Sequence, residues 1–122
     1  MYTLRVKSHF DAAHYIRDYK GKCSRTHGHR WEVEVAYEGR RLDAKNILVD
    51  FKSVKDFLEH TLDYFLDHYF LNEVLDEPNV TAEYLAKWLH DKLSEVTLLG
   101  AGLVSVTVWE SPECSITYMK EK

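Results

Sequence analysis

Cysteine is scarce in this chain, because its 122 residues include only Cys23 and Cys114. Small secreted domains that depend on disulfides carry more cysteines, so a disulfide-stapled scaffold is excluded. We therefore expect the cytoplasm as the compartment, where thiols stay reduced. A lone cysteine close to histidines is then a candidate metal ligand or nucleophile, while Cys114 is expected to be structural.

Long hydrophobic runs are also missing. The first ten residues alternate apolar and polar side chains and contain no apolar stretch like that of a signal peptide. No segment approaches the roughly 20 apolar residues of a membrane-spanning helix. The sequence therefore predicts neither an export signal nor a membrane span.

Positive charge is in deficit, since 16 Lys and Arg residues face 20 Asp and Glu residues and give a net charge of −4. This balance argues against a nucleic-acid-binding protein, which normally presents a basic stripe. It does not argue against a small anionic substrate, because a local pocket can be positive on an acidic protein. We expect a small-molecule partner, with neither nucleic acid nor a membrane.

The length of the chain suits one domain over residues 1–122, and 45% of its residues are hydrophobic and can form the core. Apolar residues at every second position predict strands at 2–14, 28–38, 104–109 and 115–120. Helical spacing predicts two helices, with Ser53 and Thr81 as their N-caps. The order β-β-α-α-β-β predicts an α+β fold, in which two helices cover one face of a four-stranded antiparallel sheet. Because little guards the two sheet edges, we also expect pairing between subunits.

Three histidines fall where the first two strands meet. His27 and His29 are two residues apart on an extended chain, so their imidazoles point to the same face. His14 ends the preceding strand, which a β-meander brings next to the second. A bare His-x-His is common in ordinary strands, but three converging imidazoles suit Zn²⁺ and leave one coordination place open. Water or a substrate oxygen can then occupy that place.

Cys23 lies four residues before His27 and admits three interpretations. It is a fourth ligand that closes a structural zinc site, a free nucleophile or base, or an inert loop thiol. Nearby positive charge from Lys20, Lys22 and Arg25 favours the thiolate. The same three cations are candidates for contacts with an anionic substrate.

Two further positions can carry acid–base or binding chemistry. Asp67 precedes His68, and a carboxylate can orient an imidazole for proton transfer, although the pair also suits a polar helix end. Glu110 ends the third strand, where it is either solvated or accepts two N–H bonds from a flat heterocycle. The remaining histidines are expected on strand or helix surfaces: His9, His60 and His90.

Taken together, these residues resemble a known family over nearly the whole chain. The matching pieces, in order, are Phe10-Asp-Ala-Ala-His14, Cys23-Ser-Arg-Thr-His27-Gly-His29, Val49-Asp-Phe51, Leu66-Asp-His68-x-x-Leu71-Asn72, Asn79-Val-Thr-Ala-Glu83 and Glu110-Ser111. They resemble the 6-pyruvoyl-tetrahydropterin synthase superfamily. Within it, the likeness is to the 6-carboxy-5,6,7,8-tetrahydropterin synthases of queuosine and 7-deazapurine biosynthesis.

The resemblance implies the tunnelling fold, with subunits joined by their sheet edges into a homohexamer of two stacked trimers and active sites at subunit interfaces. It also implies a role for each residue singled out above. The zinc ligands would be His14, His27 and His29. The catalytic residues would be Cys23 with its proton-relay partners Asp67 and His68, and Glu110 would hold the pterin ring.

The implied substrate is 7,8-dihydroneopterin triphosphate, which would lose triphosphate and acetaldehyde to leave 6-carboxy-5,6,7,8-tetrahydropterin. No nicotinamide is expected, because the redox change is internal to the substrate and the chain has no Gly-rich dinucleotide loop. The three-residue gap between Cys23 and His27 resembles the carboxy-forming branch. The alternatives are a 6-pyruvoyl-tetrahydropterin synthase that only eliminates triphosphate, a structural zinc module closed by Cys23, and a zinc hydrolase.

Overall fold

The computed structural model describes residues 1–17 and 25–121. These residues form four strands and three helices. The strands are β1 (Tyr2–His14), β2 (His27–Gly39), β3 (Gly102–Ser111) and β4 (Cys114–Met119). The helices are α1 (Phe51–Phe65), α2 (Leu71–Val74) and α3 (Ala82–Leu93). None of these helices has the length and apolar character that crossing a membrane requires.

The strands form one antiparallel sheet in the order β1-β2-β3-β4. β1 and β2 pair along their whole length, from Tyr2 opposite Gly39 to His14 opposite His27. Because each strand lies beside its neighbour in sequence, β1 and β4 are left as the two edges of the sheet. The predicted α+β fold is therefore confirmed.

One face of the sheet is buried beneath the helices. Trp31, Val33 and Val35 alternate along β2 and are almost completely buried, as period-two alternation requires. α1 packs against β1, whereas α3 packs against β3 and β4. The other face carries ion pairs instead, among them Lys7 Nζ with Glu32 Oε2 at 2.8 Å. Packing of the helices on the buried face therefore holds the ends of β1 and β2 in position.

The N-cap of α1 differs from the prediction. The Asp50 carboxylate accepts a hydrogen bond from Lys52 N at 2.9 Å, so Asp50 caps the helix and Ser53 lies inside it. The helix begins before its apolar stripe, since Phe51 is exposed and Val54 is its first buried residue. The predicted cap of α3 is confirmed, because Thr81 Oγ1 accepts from Tyr84 N at 3.1 Å.

Three other features depart from the sequence-based expectation. α2 was not predicted, because four residues are too few to show helical periodicity. His90 is only 5% exposed and its ring packs edge-on against Tyr118, so its expected place on the helix surface is wrong. It follows Ala86 by one helical turn, and that side of α3 is covered by β4. Cys114 is an exposed free thiol rather than a structural one.

Candidate metal centre

The register of β1 and β2 brings three histidine rings together on the buried face. His14 lies directly opposite His27, and His29 lies opposite Ala12, two residues along the same face. The ring centroids are 4.5 Å apart for His14 and His27, 4.5 Å for His27 and His29, and 5.2 Å for His14 and His29. The predicted convergence of the three imidazoles is therefore present in the fold.

Backbone carbonyls fix the orientation of two of these rings. His14 Nδ1 lies 2.7 Å from the Val80 carbonyl oxygen, and His27 Nδ1 lies 2.6 Å from the Arg25 carbonyl oxygen. A carbonyl only accepts, so Nδ1 carries the proton in both rings and donates it. The lone pair is then left on Nε2, which is the atom free to bind a metal.

Two of the buried ring nitrogens that lack a hydrogen-bond partner among the described residues belong to this cluster. They are the buried Nε2 atoms of His14 and His29. A buried polar atom without a partner costs free energy of about 1–3 kcal/mol, which a bound cation would offset. These orphaned nitrogens are the structural sign that the cluster is built for a ligand.

Glu110 at the end of β3 joins the cluster. Its Oε1 lies 3.6 Å from His29 Nε2, and one ligand atom from each of the four side chains lies within 4.8 Å of the others. Three neutral imidazoles and a carboxylate are a donor set that suits Zn²⁺. The three imidazoles predicted to converge thus lie together, and the Glu110 carboxylate is close enough to be a fourth donor.

Burial favours the metal-binding form of the His14 and His29 imidazoles. Desolvation lowers the pKa of His14, against the opposing effect of the hydrogen bond to Val80. Desolvation also lowers the pKa of His29, against the attraction of Glu110. Neutral rings are therefore favoured near neutral pH, and a neutral imidazole is the form that ligates.

Trp31 packs against the histidine cluster. It was not singled out from the sequence. Its ring meets those of His14 and His29 edge-to-face, with centroids 4.8 and 5.5 Å away, and it is fully buried. Trp31 could have been found from the sequence, because it follows His29 by two residues on the same strand and the two side chains therefore share a face. Val80, by contrast, is 66 residues from His14 and leaves no local pattern.

Asp67 and His68 form the expected pair, but away from the histidine cluster. Asp67 Oδ2 lies 2.7 Å from His68 Nδ1, and the carboxylate raises the pKa of His68. The pair docks on the free edge of β1, where Asp67 Oδ1 accepts from Asp11 N at 2.9 Å and His68 N donates to Asp11 O at 2.6 Å. The ring itself is 79% exposed.

The backbone at His68 is held in an unusual conformation. Its φ is +63°, a left-handed value that few non-glycine residues adopt and that often marks a functional position. The two hydrogen bonds to Asp11 hold this conformation in place. Asp11 in turn pairs with Arg30 through Oδ1 to Nε at 3.0 Å and Oδ2 to Nη2 at 3.2 Å.

Of the remaining predicted site residues, Arg25 is among those that the structure describes. Cys23, Lys20 and Lys22 lie outside the described residues. Arg25 is exposed, and the described contact it makes to the site is its carbonyl bond to His27. Clefts of about 550 and 630 Å³ lie at the other end of the strands, lined by residues such as Tyr2 and Gly39. Chemistry rather than cavity size therefore identifies the candidate site.

Comparison with protein families gives a match along almost the entire chain. The profile of the family described as 6-pyruvoyl tetrahydropterin synthase matches residues 3–121. The 6-carboxy-5,6,7,8-tetrahydropterin synthase of Synechocystis sp. is 32% identical, with 100% of this chain and 96% of that protein covered. The protein of the same name from Bacillus subtilis is also 32% identical, over 99% of this chain and 87% of its own length.

Solved structures show the same fold. The 6-pyruvoyl tetrahydropterin synthase of Caenorhabditis elegans superposes with a TM-score of 0.85 at 26% identity, over 98% of this chain and 96% of that one. A Plasmodium vivax structure described as a catalytic residue mutant of 6-pyruvoyltetrahydropterin synthase gives a TM-score of 0.79 at 21% identity, over 99% and 98% of the two chains. The second comparison speaks for the fold alone.

Proposed function

Because the chain belongs to the 6-pyruvoyl tetrahydropterin synthase family, we propose that it is the zinc-dependent lyase of the carboxy-forming branch. Its substrates would be 7,8-dihydroneopterin triphosphate and one water molecule, and its products 6-carboxy-5,6,7,8-tetrahydropterin, acetaldehyde and triphosphate. This reaction would serve queuosine and 7-deazapurine biosynthesis in the cytoplasm. Support for the branch comes from the names of the relatives that are 32% identical.

The convergence of three imidazoles, two of which have a buried Nε2 without a partner among the described residues, is the observation that carries the proposal. His14, His27 and His29 would hold the zinc. Bound zinc would supply Lewis acidity towards the hydroxyl groups of the pterin side chain. The hydrogen bonds to Val80 and Arg25 place the proton of the neutral rings on Nδ1, so that Nε2 carries the lone pair for the metal.

Glu110 is proposed as the substrate-binding carboxylate. Its Oε1 lies beside His29 Nε2, so it faces whatever molecule enters the open place of the cluster. A carboxylate accepts two N–H bonds from a flat heterocycle, which fixes both position and orientation. Glu110 would thereby hold the pterin ring, while the side chain of the substrate lies over the three histidines.

His68 and Cys23 are proposed to move protons. Since Nδ1 of His68 bonds to Asp67, its Nε2 is the atom available to accept and return a proton. The raised pKa of His68 increases the protonated fraction near neutral pH, which suits a group that must work in both directions. Proton transfers at the carbons of the substrate's side chain would allow triphosphate to leave and a carbon–carbon bond of that side chain to break.

The proposed active sites lie between subunits of a homohexamer. His68 projects from the free edge of β1, and it is not among the residues that gather around His14. Pairing of sheet edges between copies would bring the edge of one subunit next to the cluster of another. A site between subunits would thus bring the Asp67–His68 pair of one copy to the histidine cluster of another.

Product analysis tests the proposal. The purified zinc-loaded protein is incubated with 7,8-dihydroneopterin triphosphate, and the products are identified by mass spectrometry. We expect acetaldehyde and 6-carboxy-5,6,7,8-tetrahydropterin, with no product from the His27→Ala variant. A 6-pyruvoyl product without acetaldehyde would instead support the sister activity, which the name of the Caenorhabditis elegans relative favours. Absence of any pterin product would refute both activities.

A structural zinc module is the alternative from a different class, and Cys23 separates it from the enzyme. If the thiol closes the site, Cys23→Ala will lose zinc and stability together. If Cys23 is catalytic, the variant will keep zinc and lose turnover. Metal analysis of this one variant, with His27→Ala as the metal-free reference, distinguishes the two.

A further inference from the structure

The side-chain amide of Asn72 joins two chain segments that meet behind His14. Its Oδ1 accepts from Tyr15 N at 2.8 Å, and its Nδ2 lies 2.9 Å from the Tyr15 carbonyl oxygen. The same Nδ2 lies 3.0 Å from each of the Glu77 and Pro78 carbonyl oxygens. Asn72 is only 7% exposed, so these backbone groups replace water as its partners.

The two joined segments are the ones that set the His14 ring. Tyr15 directly follows His14, and Pro78 comes two residues before Val80, whose carbonyl oxygen accepts from His14 Nδ1. The stretch from Pro78 to Val80 belongs to no helix or longer strand. Other described contacts also tie this stretch to the chain that follows β1: Arg17 N donates to the Pro78 carbonyl oxygen at 3.3 Å, and Asn79 forms an isolated antiparallel bridge with Ile16. Asn72 adds the contact between Tyr15 and Pro78. The Asn72 amide thus fixes Tyr15 and Pro78, which flank the contact between His14 and Val80, relative to each other.

We infer that Asn72 is a positioning residue for the metal ligand His14. By holding Tyr15 against Pro78, it keeps the Val80 carbonyl within reach of Nδ1, which leaves the lone pair on Nε2 for the metal. The inference rests on the proposed function, since it requires that His14 binds zinc. Only a short primary amide offers both the acceptor and the donors that this arrangement uses.

Zinc affinity of the Asn72→Ala variant tests the inference. The affinity is measured by competition with a chromophoric chelator at pH 7.5, and we expect a loss of about tenfold, typical for groups that orient a ligand. Thr61→Ala is the matched control, because Thr61 is also buried and donates a side-chain bond to a backbone carbonyl, that of Phe57 within α1. It should lose stability but keep its zinc affinity.

A second measurement reads the ring directly. Side-chain ¹H–¹⁵N NMR of the metal-free protein should show His14 with its proton on Nδ1 in the wild type and in Thr61→Ala. A mixture of tautomers is expected in Asn72→Ala, or in Asn72→Ser if the alanine variant does not fold.

Wild-type zinc affinity together with a wild-type tautomer in the Asn72 variant would overturn the inference, as would an equal loss of affinity in Thr61→Ala. If the wild type itself binds no zinc, the proposed metal site fails, and with it the ligand role of His14. The NMR spectra would then still decide whether Asn72 sets the orientation of the ring.

Discussion

A histidine can ligate through either ring nitrogen, and one backbone carbonyl decides which. At His14 and His27 the carbonyls of Val80 and Arg25 take up Nδ1, so both rings offer Nε2 to the same point. The spacing of His27 and His29 predicts their shared face, and the end of β1 predicts His14. The Val80 carbonyl could not be predicted, since the contact spans 66 residues and involves no side chain of Val80.

Replacing Glu110 by glutamine tests its role at the residue level. The amide keeps the shape of the carboxylate but loses the charge that binds two N–H groups. We expect zinc content to stay at the wild-type level and KM for the pterin substrate to rise at least tenfold, measured by steady-state kinetics alongside metal analysis. Loss of zinc in Glu110→Gln would instead make Glu110 a metal ligand.

The Asp67→Asn variant tests the coupling between Asp67 and His68. The carboxylate raises the pKa of His68 by a hydrogen bond and by its charge, so its removal should lower that pKa towards the ordinary value near 6.5. An NMR titration of the His68 ring protons measures the shift, and His9, on the exposed sheet face, is the internal reference. A His68 pKa that stays raised would show that Asp67 is not its main cause.

At the level of elements, alternation and helical spacing predicted every strand and both longer helices. They failed where a helix starts outside its apolar stripe, as at Phe51, and where an element is too short for a period, as in α2. They also failed at His90, because the width of the buried side of α3 depends on how β4 covers it. Only the failure at His90 originates in tertiary packing, which local pattern does not contain.

Helix capping gives a prediction with an internal control. Asp50→Ala and Thr81→Ala should each cost about 1 kcal/mol of unfolding free energy, since each removes an acceptor from the first turn of a helix. Ser53→Ala should change it by less than about 0.5 kcal/mol, because Ser53 lies inside α1. Urea denaturation of the three variants measures these differences. A larger loss in Ser53→Ala than in Asp50→Ala would contradict the assignment of the cap.

At the level of the whole molecule, the sheet has two open edges, and one of them carries the Asp67–His68 pair. The sequence predicted the edges from the strand order, but not where the pair docks, since Asp11 and Asp67 are 56 residues apart.

Complementation between variants tests the interfacial site. His27→Ala lacks a proposed zinc ligand, and His68→Asn lacks the proposed proton carrier, so each alone should be inactive. If His68 serves the cluster of a neighbouring subunit, hexamers reassembled from both variants should regain part of the wild-type turnover. Light scattering should report six chains per particle for each. Reassembled mixtures without activity would place both residues in sites built from one subunit.

The bond from His14 to Val80 has a consequence beyond orientation of the ring. It ties the end of β1 to the residue just before the Thr81 cap of α3, so a cation held by His14, His27 and His29 acts as a cross-link between the first hairpin and the last helix. The free energy of metal binding would then stabilise both the β1–β2 hairpin and α3. Metal loading should make the hairpin and the helix unfold as one cooperative unit, and a chelator should loosen the first turn of α3, far along the chain from the ligands.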